Sequence, residues 1–413
     1  MKNKFALLIF SLLIVNSLSA QMTVSGILDT SLAMNAGAGD APEFSLGFEE
    51  YANLRFQAKM RERGTIYGAF NFIAVSGSYA AGLASTGINP SGENYIAAIE
   101  LERLYFKLRG EHTDFDGGLM RLPFGYGQVW GPSDFLNPRN PLKPDARLRG
   151  ILGAALTWYP VDDLKLLMFY AAPRDVFSLE GEGSFVGLSM DKHWNKANLQ
   201  VLYSYETPIC GSEIPSVENE MPVNDLQIPN IGSEYGIHRI GLSVKADIEV
   251  GLVMDAIYTY NHETMQDTDF FDGLSFSAGA DYSFLGGDLI VLAEYLYNGN
   301  KSATALGFGG NFSNNHYLSA SLTYRFNDFT NMSAALISCF DDISFTPVIS
   351  LNHDLFQGAT LTISAQVPMD RDLFHGDGNR GELGPLPPDS LQPRLPERYG
   401  SYFNCTARLR LRF

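Results

Sequence analysis

The chain has 413 residues, with 40 glycines, 28 phenylalanines and 20 tyrosines, only 18% charged residues and a formal net charge of −17. Its length suits two or three soluble domains or one large closed barrel, and its negative charge argues against nucleic acid or an acidic surface held by bulk electrostatics. The mean hydropathy of −0.05 does not separate soluble from membrane-spanning, because in a transmembrane barrel polar lumen side chains and loops cancel an apolar outer face.

At the N-terminal end, Lys2 and Lys4 precede the apolar run Phe5 to Val15, and Ser17-Leu18-Ser19-Ala20 then offers small residues for cleavage. This order reads as a secretory signal over residues 1–20, leaving 21–413 as the exported protein. The run is shorter than the ~20 residues of a membrane-spanning helix, and no cysteine follows the cleavage position to carry a lipid anchor. Later stretches are too short or too polar for such a helix, so a membrane assignment rests on strands. Cys210, Cys339 and Cys405 are odd in number and dispersed; they read as small apolar filler rather than a disulfide framework.

Runs of period-2 alternation bounded by turn residues give the candidate strands in chain order. The first are Met22 to Met34, Tyr51 to Arg61, Thr65 to Val75, Tyr95 to Arg109 and Phe115 to Arg121. Next come Gly150 to Trp158, Leu164 to Ala171, Ser184 to Met190, Ala197 to Glu206 and Gly236 to Ile248. The series closes with Gly251 to Asn261, Gly273 to Phe284, Asp288 to Asn298, His316 to Phe326, Thr330 to Phe340, Phe345 to His353, Ala359 to Val367 and Ser401 to Phe413. Phase breaks near Glu102 and Arg103, as a β-bulge or a strand end would break it.

The links alternate in length. Short ones, such as Glu62-Arg63-Gly64, Gly110 to Asp114, Asp191 to Lys196, Glu249-Val250 and Asp354 to Gly358, follow even strands. Long ones, such as Asn35 to Glu50, Ser76 to Asn94, Leu122 to Arg149, Thr207 to Tyr235 and Pro368 to Gly400, follow most odd strands. A chain threaded up and down a barrel puts alternate links at opposite rims, and short periplasmic turns with long outside loops are the pattern of outer-membrane barrels. The expected fold is therefore all-β: a transmembrane antiparallel up-and-down barrel of about 18 strands, within the range 16–18, with long extracellular loops.

Two-faced strands support this. Leu54, Phe56, Ala58 and Met60 oppose Arg55, Gln57, Lys59 and Arg61, as a lipid face opposes a lumen face. Trp158, Tyr205, Tyr258, Tyr260, Tyr295, Tyr297 and Tyr324 fall near strand ends, where interfacial girdles form. In the last run, Phe403, Cys405, Ala407, Leu409, Leu411 and Phe413 share one face, and Asn404, Thr406, Arg408, Arg410 and Arg412 the other. This strand resembles the C-terminal strand of Gram-negative outer-membrane barrel proteins, which implies outer-membrane lipids and lipopolysaccharide as surroundings and recognition of Phe413 by the barrel-assembly machinery.

The most specific local feature is the third long link, 122–149, rich in Pro, Gly and aromatics. Apolar anchors and rigid corners predict a segment packed against something. Its ordinal position and the stretch Trp130-Gly131-x-x-Asp134-x-x-Asn137-Pro138 resemble porin-like outer-membrane proteins, in which such a loop folds into the lumen and constricts it. A folded external cap is the alternative. Basic residues gather on the lumen face of one side: Arg55, Lys59, Arg61, Arg103, Lys107, Arg109, Arg121, Arg408, Arg410 and Arg412. In a narrow pore such a ladder attracts anions and resembles those of general and carboxylate-selective porins; with Tyr126, Trp130, Asp134 and Arg139 it makes the candidate pore lining. The bland alternative is that the bases merely pair with Glu100, Glu102, Asp134 and Asp145 and stiffen the wall.

Acidic residues in the long links, among them Glu218, Glu220, Asp267, Asp269, Asp272 and Asp377, account for much of the net charge and fail calcium-loop spacing. Nucleophile elbows, phosphate loops, zinc motifs and paired C-x-x-C are missing from the sequence. The expectation is a non-enzymatic channel without cofactor or metal, passing small polar, anion-biased solutes, with self-association left open. A surface adhesin with a plugged lumen and a transporter of hydrophobic substrates are the competing readings.

Overall fold

Alternation of apolar and polar side chains commits each segment to a strand with one wet and one dry face, and pairing of the last strand with the first closes those strands into a barrel. The computed structural model describes residues 21–36, 44–60, 63–80, 94–137, 150–173, 183–208, 236–261, 270–299, 314–341, 343–369 and 403–413. The strands are β1 Gln21–Ala36, β2 Phe44–Met60, β3 Gly64–Gly77, β4 Tyr95–Arg109, β5 Thr113–Met120, β6 Ile151–Val161, β7 Leu164–Ala171, β8 Phe185–Trp194 and β9 Ala197–Glu206. They continue as β10 Ile237–Asp247, β11 Gly251–Asn261, β12 Leu274–Phe284, β13 Leu289–Asn298, β14 His316–Asn327, β15 Thr330–Cys339, β16 Ser344–Phe356, β17 Ala359–Gln366 and β18 Phe403–Arg412.

All 18 belong to one sheet in which each strand pairs antiparallel with its sequence neighbour, and β1 pairs with both β2 and β18. The expected barrel is thus realised, strand for strand. The seam runs from Ile27 opposite Arg412 to Ala36 opposite Phe403, and the Phe413 carbonyl accepts the Gly26 N–H at 2.8 Å. Every even strand through β16 turns to the next within two to four residues, so these turns share one rim and the long links share the other. Among the described residues no helix is long and apolar enough to cross a membrane; the crossing is made by strands whose backbone groups are paired within the sheet, as hydrocarbon requires.

The outer wall is apolar and exposed. Leu152, Leu156, Met168, Val186, Leu188, Ile240, Leu242, Leu252 and Met254 all point away from the lumen. Near the long-link rim it carries a belt of rings, with Tyr203 and Tyr205 on β9, Tyr258 and Tyr260 on β11, and Tyr295 and Tyr297 on β13. His238 and His316 are inserted beside them, their Nδ1 atoms 2.9 and 2.6 Å from the hydroxyls of Tyr203 and Tyr295. Rings with a polar edge settle where apolar chains meet headgroups.

The expected phase break is a bulge. On β4, Ala69 faces Arg103 while Phe70 faces Leu101, so Glu102 is the extra residue. Several strand ends differ from expectation. β2 begins at Phe44 rather than Tyr51, because Phe44, Leu46 and Phe48 continue the outer face and the adjacent acids Glu49 and Glu50 only obscure the period. β8 and β16 run on to Trp194 and Phe356, shrinking their turns to 195–196 and 357–358.

Candidate functional site: the lumen and its inward segment

After β5 the chain turns into the barrel. Residues 122–137 first fold on themselves: the Asn137 carboxamide oxygen accepts the Leu122 N–H at 2.9 Å, Asp134 accepts the Phe124 N–H at 3.4 Å, and the rings of Phe124 and Phe135 stack at 6.0 Å. Gly125 is required where the segment meets the wall. Its φ is +78°, and a β-carbon there would lie 2.2 Å from Asp255 Oδ2.

The segment is then pinned to the inner face of the opposite wall. One carboxylate, Glu294 on β13, accepts the N–H groups of Gln128, Val129 and Trp130 at 2.9, 2.9 and 3.0 Å, while the Trp130 indole N–H donates to the Glu294 carbonyl at 3.1 Å. Asp255 on β11 accepts the hydroxyl of Ser133 and, at 2.6 Å, that of Ser243. Gln200 on β9 accepts the Gly125 N–H at 2.6 Å and donates to Asp191 at 2.6 Å. Gln128 reaches Asp281 at 2.7 Å. Glu294 and Asp255 are fully buried; a carboxylate removed from water persists when several donors replace its hydration.

Apolar contacts complete the attachment. Phe124 and Phe135 meet Phe169 and Phe185 at 5.0 and 5.8 Å, among Met120, Leu122, Ile151, Leu167, Leu202 and Ile257. Trp130 meets Tyr317 at 5.6 Å over Leu296, Ile337 and Cys339. The inward rows of β6 to β15 are thus partly apolar because the segment covers them. Arg239, paired with Glu206 at 2.7 Å, closes over the Phe135 and Phe185 rings.

Across the lumen the basic side chains occupy the inner faces of β2, β4 and β18, which closure brings together through β1 and β3. Arg55, Lys59 and Arg412 are exposed. Others are held by acids: Arg410 grips Asp29 with two bonds of 2.8 Å, Arg103 pairs with Glu102 at 3.1 Å, Arg109 with Asp114 and Asp116 at 3.2 and 3.1 Å, and Lys107 with Asp116 at 3.8 Å. Beneath them, Tyr51, Asn53, Asn71, Glu100 and Glu102 form one polar network. Tyr67 and Tyr105 stack at 5.1 Å, with the Lys107 ammonium 5.5 and 5.4 Å from their centres.

The expected lining therefore divides. Arg55, Lys59, Arg103, Lys107, Arg109, Arg408, Arg410 and Arg412 come together on the basic side. Trp130 and Asp134, each 2% exposed, fasten the segment and do not face a passing solute. Arg121 and Tyr126 are half-buried at its start; burial and the neighbouring Asp191 charge push the Tyr126 phenol up to about 12, keeping it neutral. Arg61, Arg139 and Asp145 lie outside the described residues, as does Cys210; among the described residues Cys339 and Cys405 form no disulfide. Of the expected acids, Glu102 pairs with Arg103 at 3.1 Å. Asp29, Asp114 and Asp116 as partners, and Glu294, Asp255 and Gln200 as anchors, were not singled out from sequence. A lone acid in an otherwise apolar inward row, as in Val253-x-Asp255-x-Ile257 or Leu292-x-Glu294-x-Leu296, was the available signal.

No protein-family model and no curated protein match the sequence. Solved structures match nearly end to end. Pseudomonas aeruginosa OccK5 (OpdH) aligns with a TM-score of 0.52 at 10% identity, over 96% of this chain and 98% of that one. Acinetobacter baumannii OccAB1 gives 0.54 at 10% identity, over 96% and 99%. A BenF-like porin from Pseudomonas fluorescens Pf-5 gives 0.55 at 9% identity, over 95% and 98%. At such identities the likeness establishes the fold alone, a closed barrel.

Proposed function

We propose that this chain is an outer-membrane porin-like channel for passive diffusion of small polar solutes, with a bias toward anions. The observation that carries the reading is the asymmetry of the lumen: residues 122–137 are fastened to the inner face of β6 to β15, while Arg55 and Lys59 stand exposed on the basic side. A channel narrowed from one side and lined by cations on the other raises the local concentration of anions where protein walls lower the dielectric. A similar structure that carries a porin name, the BenF-like porin, supports the same reading.

In this account residues 1–20 are the export signal, the short-turn rim faces the periplasm, and the strand ending at Phe413 is what the barrel-assembly machinery reads. Lipids and lipopolysaccharide surround the apolar wall, and diffusion requires no cofactor or catalysis. Liposome swelling tests the reading: vesicles containing the refolded protein should swell several-fold faster in isotonic small carboxylates or phosphates than in larger sugars. Stable insertion without swelling for any solute would point instead to a closed barrel used for surface adhesion.

A further inference from the structure

A second piece of chain turns into the barrel, and it does so on the basic side. β3 ends at Gly77, whose φ is +63° and where a β-carbon would lie 2.0 Å from the Leu46 carbonyl oxygen, so glycine is needed for the chain to leave the sheet at this angle. The Gly77 N–H donates to the Asn94 carbonyl at 3.1 Å, closing the base of the link at the rim. Residues 78–80 then make a helical turn directed inward. Ala80 is fully buried, and a side chain at Gly47, on the inner face of β2, would meet Ser78 Oγ at 2.5 Å and the Tyr79 ring at 2.8 Å.

Hydrogen bonds fasten this turn to β1 and β18. Asn35 on β1 donates to Ser78 Oγ at 2.8 Å, Asn404 on β18 donates to Asn35 at 2.5 Å, and Thr406 donates to Asn404 at 3.1 Å. The Tyr79 hydroxyl completes the run by bonding to Thr406. Between Gly47 and Thr406, the two groups the ring touches, the register places Ala33, which is 0% exposed. Two residues without bulk, Gly47 and Ala33, thus form the bed on which the ring lies, and it is held at both ends, by the backbone turn and by its hydroxyl.

One level deeper in the barrel, Ser31 on β1 stands in register with Glu49 of β2 on one side and Arg408 of β18 on the other. Both charges act on the Tyr79 phenol. Burial, followed by the Glu49 charge, pushes that phenol above its ordinary pKa, so the ring is neutral at physiological pH. Arg408 is the basic residue of β18 nearest the long-link rim, and Tyr79 lies between it and that rim.

Resting on the reading of this chain as a porin-like channel, we propose that Tyr79 is a size-determining residue at the long-link mouth of the basic path, the counterpart of residues 122–137 on the opposite wall. A neutral ring adds no preference for either sign of charge. Clamped at both ends, it takes up width where a solute bound for Arg408 enters, so it excludes bulky anions before small ones, while the cations below it set which sign passes.

Liposome swelling in acetate and in the larger gluconate tests this, for wild type, Tyr79→Ala and Tyr79→Phe, with heat-modifiable migration as the check that each is a folded barrel. Wild type should favour acetate. Tyr79→Ala should raise the gluconate rate several-fold relative to acetate, and Tyr79→Phe, which restores the ring without its hydroxyl, should restore the discrimination. Tyr79→Cys gives a second readout: an anionic methanethiosulfonate should attach there and lower single-channel conductance, with wild type under the same reagent as the control for Cys210, Cys339 and Cys405. A Tyr79→Ala protein that discriminates as wild type does, or a Tyr79→Cys channel indifferent to the reagent, would overturn the inference alone. A wild type that swells in neither solute would overturn the channel reading and the inference with it.

Discussion

The two sides of the lumen hold their charged groups in opposite ways. On the segment-bearing side, Glu294 and Asp255 are dehydrated, and their partners are backbone N–H groups and hydroxyls fixed by the fold. On the basic side, cations face carboxylates in partly wet pairs, and Arg55 and Lys59 remain exposed. The first arrangement immobilises a segment, because displacing it strands a buried anion and several donors. The second leaves charge available to a solute. A barrel wall alone does not distinguish the sides; what is packed against each wall does.

Substitutions should separate them. The largest effect is expected from Trp130→Ala, which removes an indole packed on Tyr317 and Leu296 and a hydrogen bond to the wall. It should lower unfolding free energy in lipid by about 3–5 kcal/mol and raise single-channel conductance as the segment loosens; unchanged conductance would mean the segment does not limit the pore. Glu294→Gln keeps the shape but weakens three charge-assisted bonds, and should cost about 2 kcal/mol with noisier current. A silent substitution would remove Glu294 as the latch.

On the basic side, Arg410→Ala leaves Asp29 facing the lumen without its guanidinium and should cost about 1–3 kcal/mol. Adding Asp29→Asn should recover part of that loss; strictly additive effects in denaturant titrations would show the pair is uncoupled. Smallest is Asp163→Asn at the short-turn rim. Hydrogen bonding to Lys192, more than their charge attraction, holds the Asp163 carboxyl below its usual range. Stability from this pair is therefore present above the ordinary carboxylate pKa and lost as pH falls through the lower folded value. The site is exposed and salt-screened, so wild type and variant should unfold alike even near neutral pH.

Much of the barrel was legible because a strand's period is local. The two-faced run ending at Phe413, the bulge at Glu102 and the alternation of links all follow from residues within a few positions of one another. Strand ends were less legible where charge interrupted the period, as at Glu49 and Glu50 on β2 or Asp191 on β8. The site was half legible. Basic residues two apart reveal a shared face, but the bonds from Gln128, Val129 and Trp130 to Glu294 join positions about 165 residues apart. Local pattern carries no trace of such a contact. The porin-like look of the third link suggested an inward course without saying which wall would hold it.

The proposed route for solutes is the basic side of the lumen. Reversal potential in a salt gradient across a planar bilayer, for wild type and for Arg55→Ala/Lys59→Ala/Lys107→Ala, tests it most directly. The expected result is an anion-selective wild type and a variant that inserts with similar conductance but has lost most of that preference. A variant as anion-selective as wild type would contradict it and place the selectivity elsewhere in the lumen.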